Sequence, residues 1–144
     1  MIPEFKGKYR WLSNFYPCSI LYHGNMFRSV EHAYQSAKSS NPMWINFCLN
    51  TEDPGIVKTK SNTLEYDKEI WKTKSLKIME LLLTQKFNME PFRSLLLDTV
   101  EEELQEGNTW HDTFWGVDIK TGHGQNHLGK SIMLIRDRLN GKVW

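Results

Sequence analysis

The 144-residue chain predicts an α+β fold, mostly helical, with a few short strands. Three observations carry that expectation. Segments of helical period fill most of residues 29–98 and 125–139. β-Prone runs are short and confined to an N-terminal hairpin and to the region 100–118. Strands and helices do not alternate as a βαβ sheet requires. No repeat, low-complexity tract or linker interrupts the chain, so one domain is expected over residues 1–144.

Residues 18–29, CSILYHGNMFRS, read as the hairpin, with His23-Gly24-Asn25 as turn chemistry between two β-prone runs. Residues 29–41, SVEHAYQSAKSSN, read as a helix capped by Ser29 and broken at Asn41-Pro42. Its apolar positions, Val30, Ala33, Tyr34 and Ala37, are three and four apart. Glu31, Gln35 and Lys38 fall at i, i+4 and i+7 and share a second face. A helix over 43–49 follows. Asp53-Pro54-Gly55 is a break, then comes a short helix over 56–61. The longest helix covers 67–87, its stripe formed by Ile70, Trp71, Leu76, Ile78, Met79, Leu82, Leu83 and Phe87. Pro91 suits the first turn of a helix over 90–98, with Phe92, Leu95, Leu96 and Leu97 inward. Residues 99–106 fit either a strand or a helix and are read as a short strand because an aromatic, turn-rich segment follows; residues 114–119 read as a short strand. The last helix runs from Gln125 or Asn126 to Leu139, on Leu128, Ile132, Met133 and Ile135.

Composition narrows the function classes. Hydrophobic residues are 40% and charged residues 24%, as in a soluble globular domain, and the net charge of +1 provides no global field for nucleic acid. Lys58, Lys60, Lys72, Lys74 and Lys77 form a local basic cluster, which reads first as a solvated helix face. No apolar run reaches the roughly 18 residues of a membrane span, and the N-terminus lacks a signal-peptide core. Cys18 and Cys48 make no disulfide framework. A cytoplasmic protein without membrane contact is expected.

Motifs are weighed against their context. Residues 124–131, GQNHLGKS, satisfy G-x-x-x-x-G-K-[ST], but the parallel sheet and acidic strand end of a nucleotide hydrolase are missing from the pattern. A glycine-rich turn entering a helix still suits a phosphate, or merely a tight turn. The five histidines and two cysteines show no zinc spacing, and no metal or other cofactor is expected. G-x-S-x-G is absent. Carboxylates remain. Glu31 sits among apolar neighbours, and Glu106 and Asp112 lie with Trp110 and Trp115 in QEGNTWHDTFWG, where desolvation raises a carboxyl pKa toward acid–base use. Lys38, against a hydrophobic wall, is a candidate amine nucleophile. The same helix face also reads as an ordinary solvated one.

In order along the chain stand LSNFYP, SVEHAYQSAK, QKF, LLLDT, QEGNTWHDTFWG and GHGQNHLGKSIMLIR. This set resembles the YbiA-like, or NADAR, family over residues 4–138. Ile132 stands where the family usually has Leu, and residues 50–74 match weakly. The resemblance implies a YbiA-like fold and an N-glycosyl hydrolase acting on ribose bound to nitrogen. Its substrate would be a small nucleotide of the phosphoribosylamino-pyrimidine type from riboflavin synthesis, or ADP-ribosylated guanine, free or within nucleic acid. By the same resemblance Glu31 is the general acid/base, Lys38 forms an imine with ribose C1, and Asp112 is catalytic or holds ribose hydroxyls. Trp110 and Trp115 stack on the base. Ser13, Asn14, Phe15, Gln35, Glu106, Gly116, Gly124, Asn126 and Gly129 complete the substrate contacts. On a straight helix Glu31 and Lys38 would be about 10–11 Å apart along the axis. The competing reading is a sensor that binds ADP-ribose or NAD without turnover.

Overall fold

The structure, a computed structural model, describes residues 1–142. It is α+β, with six α-helices, two short 3-10 helices and four short strands among the described residues. The chain forms two compact units, Asn14–Lys86 and Met1–Ser13 with Phe87–Trp144.

The Asn14–Lys86 unit opens with the hairpin β1 (Ile20–Tyr22) and β2 (Asn25–Phe27), paired antiparallel with Ile20 opposite Phe27. His23 and Gly24 both adopt positive φ, 47° and 79°, the backbone that a two-residue turn between right-twisted strands demands. Asn25 therefore belongs to β2 and not to the turn. The Gln85 amide exchanges two hydrogen bonds with the Leu21 backbone, of 2.7 and 2.9 Å, and so closes the free edge of β1.

Next come α1 (Val30–Ser36), α2 (Pro42–Asn50), α3 (Pro54–Lys60) and α4 (Lys68–Phe87). Asn41 and Asp53 cap α2 and α3, each followed by proline at the first turn. Asp67 Oδ1 accepts from the amides of Glu69 and Ile70 to start α4. Ile20, Phe27, Val30, Ala33, Trp44, Cys48, Val57, Met79, Leu82 and Leu83 are the buried apolar side chains of this unit, joined by Tyr34. The α4 stripe is only half used. Ile70 is 50% exposed and Leu76 39% exposed, while the C-terminal half is buried.

The helix expected over 29–41 ends at Ser36. Ser36 Oγ donates to the Ala33 carbonyl, and Ser39 Oγ accepts from the Asn41 amide. Such hydroxyls compete with the helix ladder for backbone partners. Lys38 thus lies in the tight turn after the helix, its amide bonded to the Gln35 carbonyl three residues back. The axial spacing expected between Glu31 and Lys38 does not apply.

The other unit holds α5 (Phe92–Asp98), β3 (Gly107–Asn108), β4 (Val117–Asp118) and α6 (His127–Leu139). β3 and β4 pair in parallel. The strand expected over 99–106 reduces to one bridge, Leu104 with Ile2. Thr99 and Val100 continue into turns, Val100 with φ 55°. Ile2, Phe5, Trp11, Leu12, Phe87, Phe92, Leu96, Leu104, Val117, Leu128, Ile132 and Ile135 make this core. Of the expected inward positions, Leu95, Leu97 and Met133 are only half-buried. Among the described residues no helix is long and apolar enough to cross a membrane.

Candidate functional site

Helix α1 is held at both ends of its first turn. Ser29 Oγ accepts from the His32 amide, and His32 itself is buried. Its Nε2 lies 2.8 Å from the Thr51 carbonyl and its Nδ1 2.7 Å from Ser29 Oγ. A carbonyl only accepts, so Nε2 carries the proton and Nδ1 takes one from the serine hydroxyl. Burial lowers the pKa of this ring, in keeping with the neutral form.

This clamp fixes the face that carries Glu31 and Gln35. Glu31 is 6% exposed and Gln35 3%. Gln35 Nε2 donates to Glu31 Oε2 at 2.6 Å, and the Glu31 amide donates to the Asn14 carbonyl. The carboxylate fixes which end of the Gln35 amide faces it, so Oε1 points elsewhere. That oxygen, and Oδ1 of buried Asn14, have no hydrogen-bond partner. A buried unmet acceptor costs about 1–3 kcal/mol. Two of them on residues bonded to Glu31 are suited to hydroxyl or N–H donors of a ligand.

Lys38 is half-buried. Its Nζ lies 5.8 Å from the Tyr34 ring centroid, 5.6 Å from Tyr66 and 5.8 Å from Trp71. Desolvation pulls its pKa below the usual lysine value, Glu31 opposes that shift, and the charges of Lys58 and Lys68 reinforce it. Lys58 Nζ stands over the Phe15 ring at 5.8 Å, and Phe15 is 39% exposed. One unit therefore brings together Asn14, Phe15, Glu31, Gln35 and Lys38: a buried carboxylate, a partly desolvated amine, two unmet acceptors and neighbouring cations.

Ser13, Glu106, Trp110, Asp112, Trp115, Gly116, Gly124, Asn126 and Gly129 belong to the other unit. Ser13 ends the short 3-10 turn Gly7–Leu12, its amide bonded to the Arg10 carbonyl, while residues 106–129 build an interlocked loop. Asp112 Oδ1 accepts from the amides of Phe114 and Trp115, and the Asn108 side chain bridges Glu106 Oε2 and the Asp112 backbone. Asn126 has φ 53°, accepts from the Glu106 amide and donates to the Leu104 carbonyl. The amides of Gln125, Asn126, His127 and Leu128 all donate to carbonyls of residues 113–116. The amides of residues 125–128 are thus bonded within the protein, which supports the tight-turn reading of this helix entry over the phosphate one. A Cβ on Gly116 would stand 1.9 Å from Glu106 Oε2, and one on Gly129 2.2 Å from the Leu104 carbonyl, so close packing demands these glycines. Trp110 is 54% exposed and Trp115 half-buried.

Sequence reasoning missed the aromatic ring set around Lys38. Trp71 reads as one more position of an apolar stripe, and Tyr66 precedes the helix. It also missed Lys86, which is fully buried beside the Tyr16 ring and whose pKa burial pulls down to about 8. Its place in QKF next to the core residue Phe87 was the available signal. Among the described residues no cluster of three or more His, Cys, Asp or Glu side chains is arranged to hold a metal ion.

Comparisons with known proteins agree with this architecture. The solved structure of the E. coli protein YbiA superposes with a TM-score of 0.81, covering 97% of this chain and 87% of that one at 24% identity. A riboflavin biosynthesis protein of Vibrio vulnificus is 33% identical over 131 residues, and an N-glycosidase of Nostoc punctiforme 29% identical over 138. These alignments take in 90% and 91% of this chain. They take in 35% of the Vibrio protein and 86% of the Nostoc protein, so the chain spans about a third of the former. The chloroplastic riboflavin biosynthesis protein PYRR of Zea mays is 30% identical over 148 residues, 91% of this chain and 23% of that protein. The NADAR domain matches residues 4–140, nearly the whole chain, and the chain belongs to the NADAR family.

Proposed function

We propose that the protein is an N-glycosyl hydrolase that cleaves a ribose–nitrogen bond using Glu31 and Lys38. The observation that carries this reading is the pairing of a buried carboxylate, oriented by Gln35, with a lysine amine whose protonated form is penalised by burial. An amine attacks carbon only when unprotonated, and a leaving base departs only when it takes a proton. The Glu31 carboxylate takes a proton from the Lys38 ammonium, which frees the amine, and donates that proton to the departing nitrogen. Lys38 Nζ bonds to C1 as the C1–nitrogen bond breaks, and ring opening passes an amine proton to the ring oxygen to leave an imine. Water then adds to the imine carbon, the C1–Nζ bond breaks, and the ribose leaves as an aldehyde. Overall one water is consumed, and the base and free sugar are released.

The unmet oxygens of Asn14 and Gln35 would accept from ribose hydroxyls, and Lys58 and Lys68 would offset a nearby phosphate. Relatives named for N-glycosidase activity and riboflavin biosynthesis support a nucleotide-like substrate. Two substrates fit that chemistry: a phosphoribosylamino-pyrimidine and ADP-ribosylated guanine, the latter free or in a nucleic-acid strand. Asp112 as a further catalytic group, and Ser13, Glu106, Trp110 and Trp115 as substrate contacts, are proposed from the family resemblance. For Gly116, Gly124, Asn126 and Gly129 we propose a positioning role in the loop that bears Asp112.

A hydrolysis panel read by mass spectrometry tests the assignment, with ADP-ribosyl-guanine in DNA, free ADP-ribosyl-guanosine and a ribosylamino-pyrimidine phosphate. Lys38→Ala and Glu31→Gln should each abolish turnover while keeping ligand affinity within about tenfold. Full activity in both variants refutes the mechanism. Binding with no turnover by the native chain on any substrate makes the domain a sensor instead.

A further inference from the structure

We propose that Tyr34, Tyr66 and Trp71 form an aromatic cage that positions the Lys38 amine, making Trp71 and Tyr66 positioning residues for its attack on carbon. The inference rests on the reading of Lys38 as the nucleophile and extends it to a segment that resembles the family only weakly.

The geometry is specific. All three ring centroids lie within 5.6–5.8 Å of one nitrogen, although the rings come from α1, from the residue before the α4 cap and from the first turn of α4. The rings also brace one another. Trp71 stands 5.1 Å from Tyr34 and tilted by 58°, and 6.3 Å from Tyr66 at 82°, an edge contact. Tyr34 is buried and anchors the set to the α1 core, while Tyr66 and Trp71 are half-buried. Lys38 leaves the helix in a turn, where nothing in the backbone ladder orients its four-carbon stem. Three rings around the tip supply that orientation and strip water from it.

A cation over rings is stabilised, whereas an amine stripped of water is favoured as the neutral base. The two tendencies oppose each other. Burial is the largest influence on Lys38 and lowers its pKa, so the cage acts mainly by excluding water. The charged groups that bear on the amine are Glu31 from α1, Lys58 from α3 and Lys68 from α4, and the cage adds the phenols of Tyr34 and Tyr66.

Competitive labelling of Lys38 with acetic anhydride across pH, read by peptide mass spectrometry, tests the cage without any substrate. Native protein, Trp71→Phe and Trp71→Ala are compared, each first shown folded by its thermal transition. In Trp71→Ala the labelling midpoint should move to higher pH, with reactivity near neutrality falling about tenfold for each pH unit moved. Trp71→Phe, which keeps a ring, should lie between that variant and the native protein. Tyr66→Ala serves as the second variant should Trp71→Ala not fold, with the same expectation. A midpoint unmoved in the folded alanine variant overturns the cage. Hydrolysis is assayed in parallel. If labelling responds but no N-riboside is hydrolysed, the cage stands and the hydrolase reading falls.

Discussion

Replacing Lys86 with methionine should change how stability depends on pH, and the structure sets the size of the change. Lys86 is fully buried, and burial lowers its pKa from 10.5 to about 8, with Cys18 acting in the opposite sense. The difference is about 2.5 units, and at about 1.4 kcal/mol per unit it is worth about 3 kcal/mol. Below pH 8 both the folded and unfolded chains hold the proton, and the folded state bears the full penalty. Between about 8 and 10.5 the folded chain releases the proton while the unfolded chain keeps it, so folding gains stability as pH rises. Above 10.5 both are neutral and the gain is complete. Methionine has similar bulk and no charge. The native chain should therefore gain about 3 kcal/mol on Lys86→Met between pH 7 and 10.5, whatever the offset from lost contacts. Urea unfolding of both chains in a Cys18→Ala background measures this, since burial also shifts the Cys18 thiol. Cys48, whose thiol is pushed up to about 12, contributes equally to both chains and cancels. A stability difference that stays flat across that range refutes the burial argument.

Three further outcomes are expected. Acetic anhydride labelling of the Lys38 amine should rise with pH to a midpoint below 10.5, because the Lys38 pKa is lowered chiefly by desolvation. Lys58→Ala removes a like charge that adds to the lowering, so it should move that labelling midpoint upward; a downward move contradicts the electrostatics. Gly116→Ala would bring a methyl within 2.1 Å of the Glu106 carbonyl oxygen, a backbone atom that cannot swing aside. It should cost about 3 kcal/mol in urea unfolding, and an unchanged midpoint would show that the loop yields freely.

What the sequence disclosed was mostly local. Ser29 caps α1, Asp53-Pro54 and Asn41-Pro42 start helices, and the His23-Gly24 turn closes a hairpin, because each depends on neighbours within a few residues. Glu31 and Gln35 met as their spacing of four requires, within one short helix. Lys38 is where that rule stops. The run of serines takes the chain out of the helix at Ser36, so extending the same periodicity by one more turn misplaces the amine. Nor does periodicity distinguish a tryptophan bound for the core from one that lines a site. Trp71 satisfies the α4 stripe, yet Ile70 beside it and Leu76 farther along remain exposed, and the ring turns toward Tyr34 and Tyr66. A stripe position whose companions stay wet is spent on something other than the core. That contrast requires solvent exposure, which sequence spacing does not carry, and it is what singles out Trp71 from the other members of its stripe.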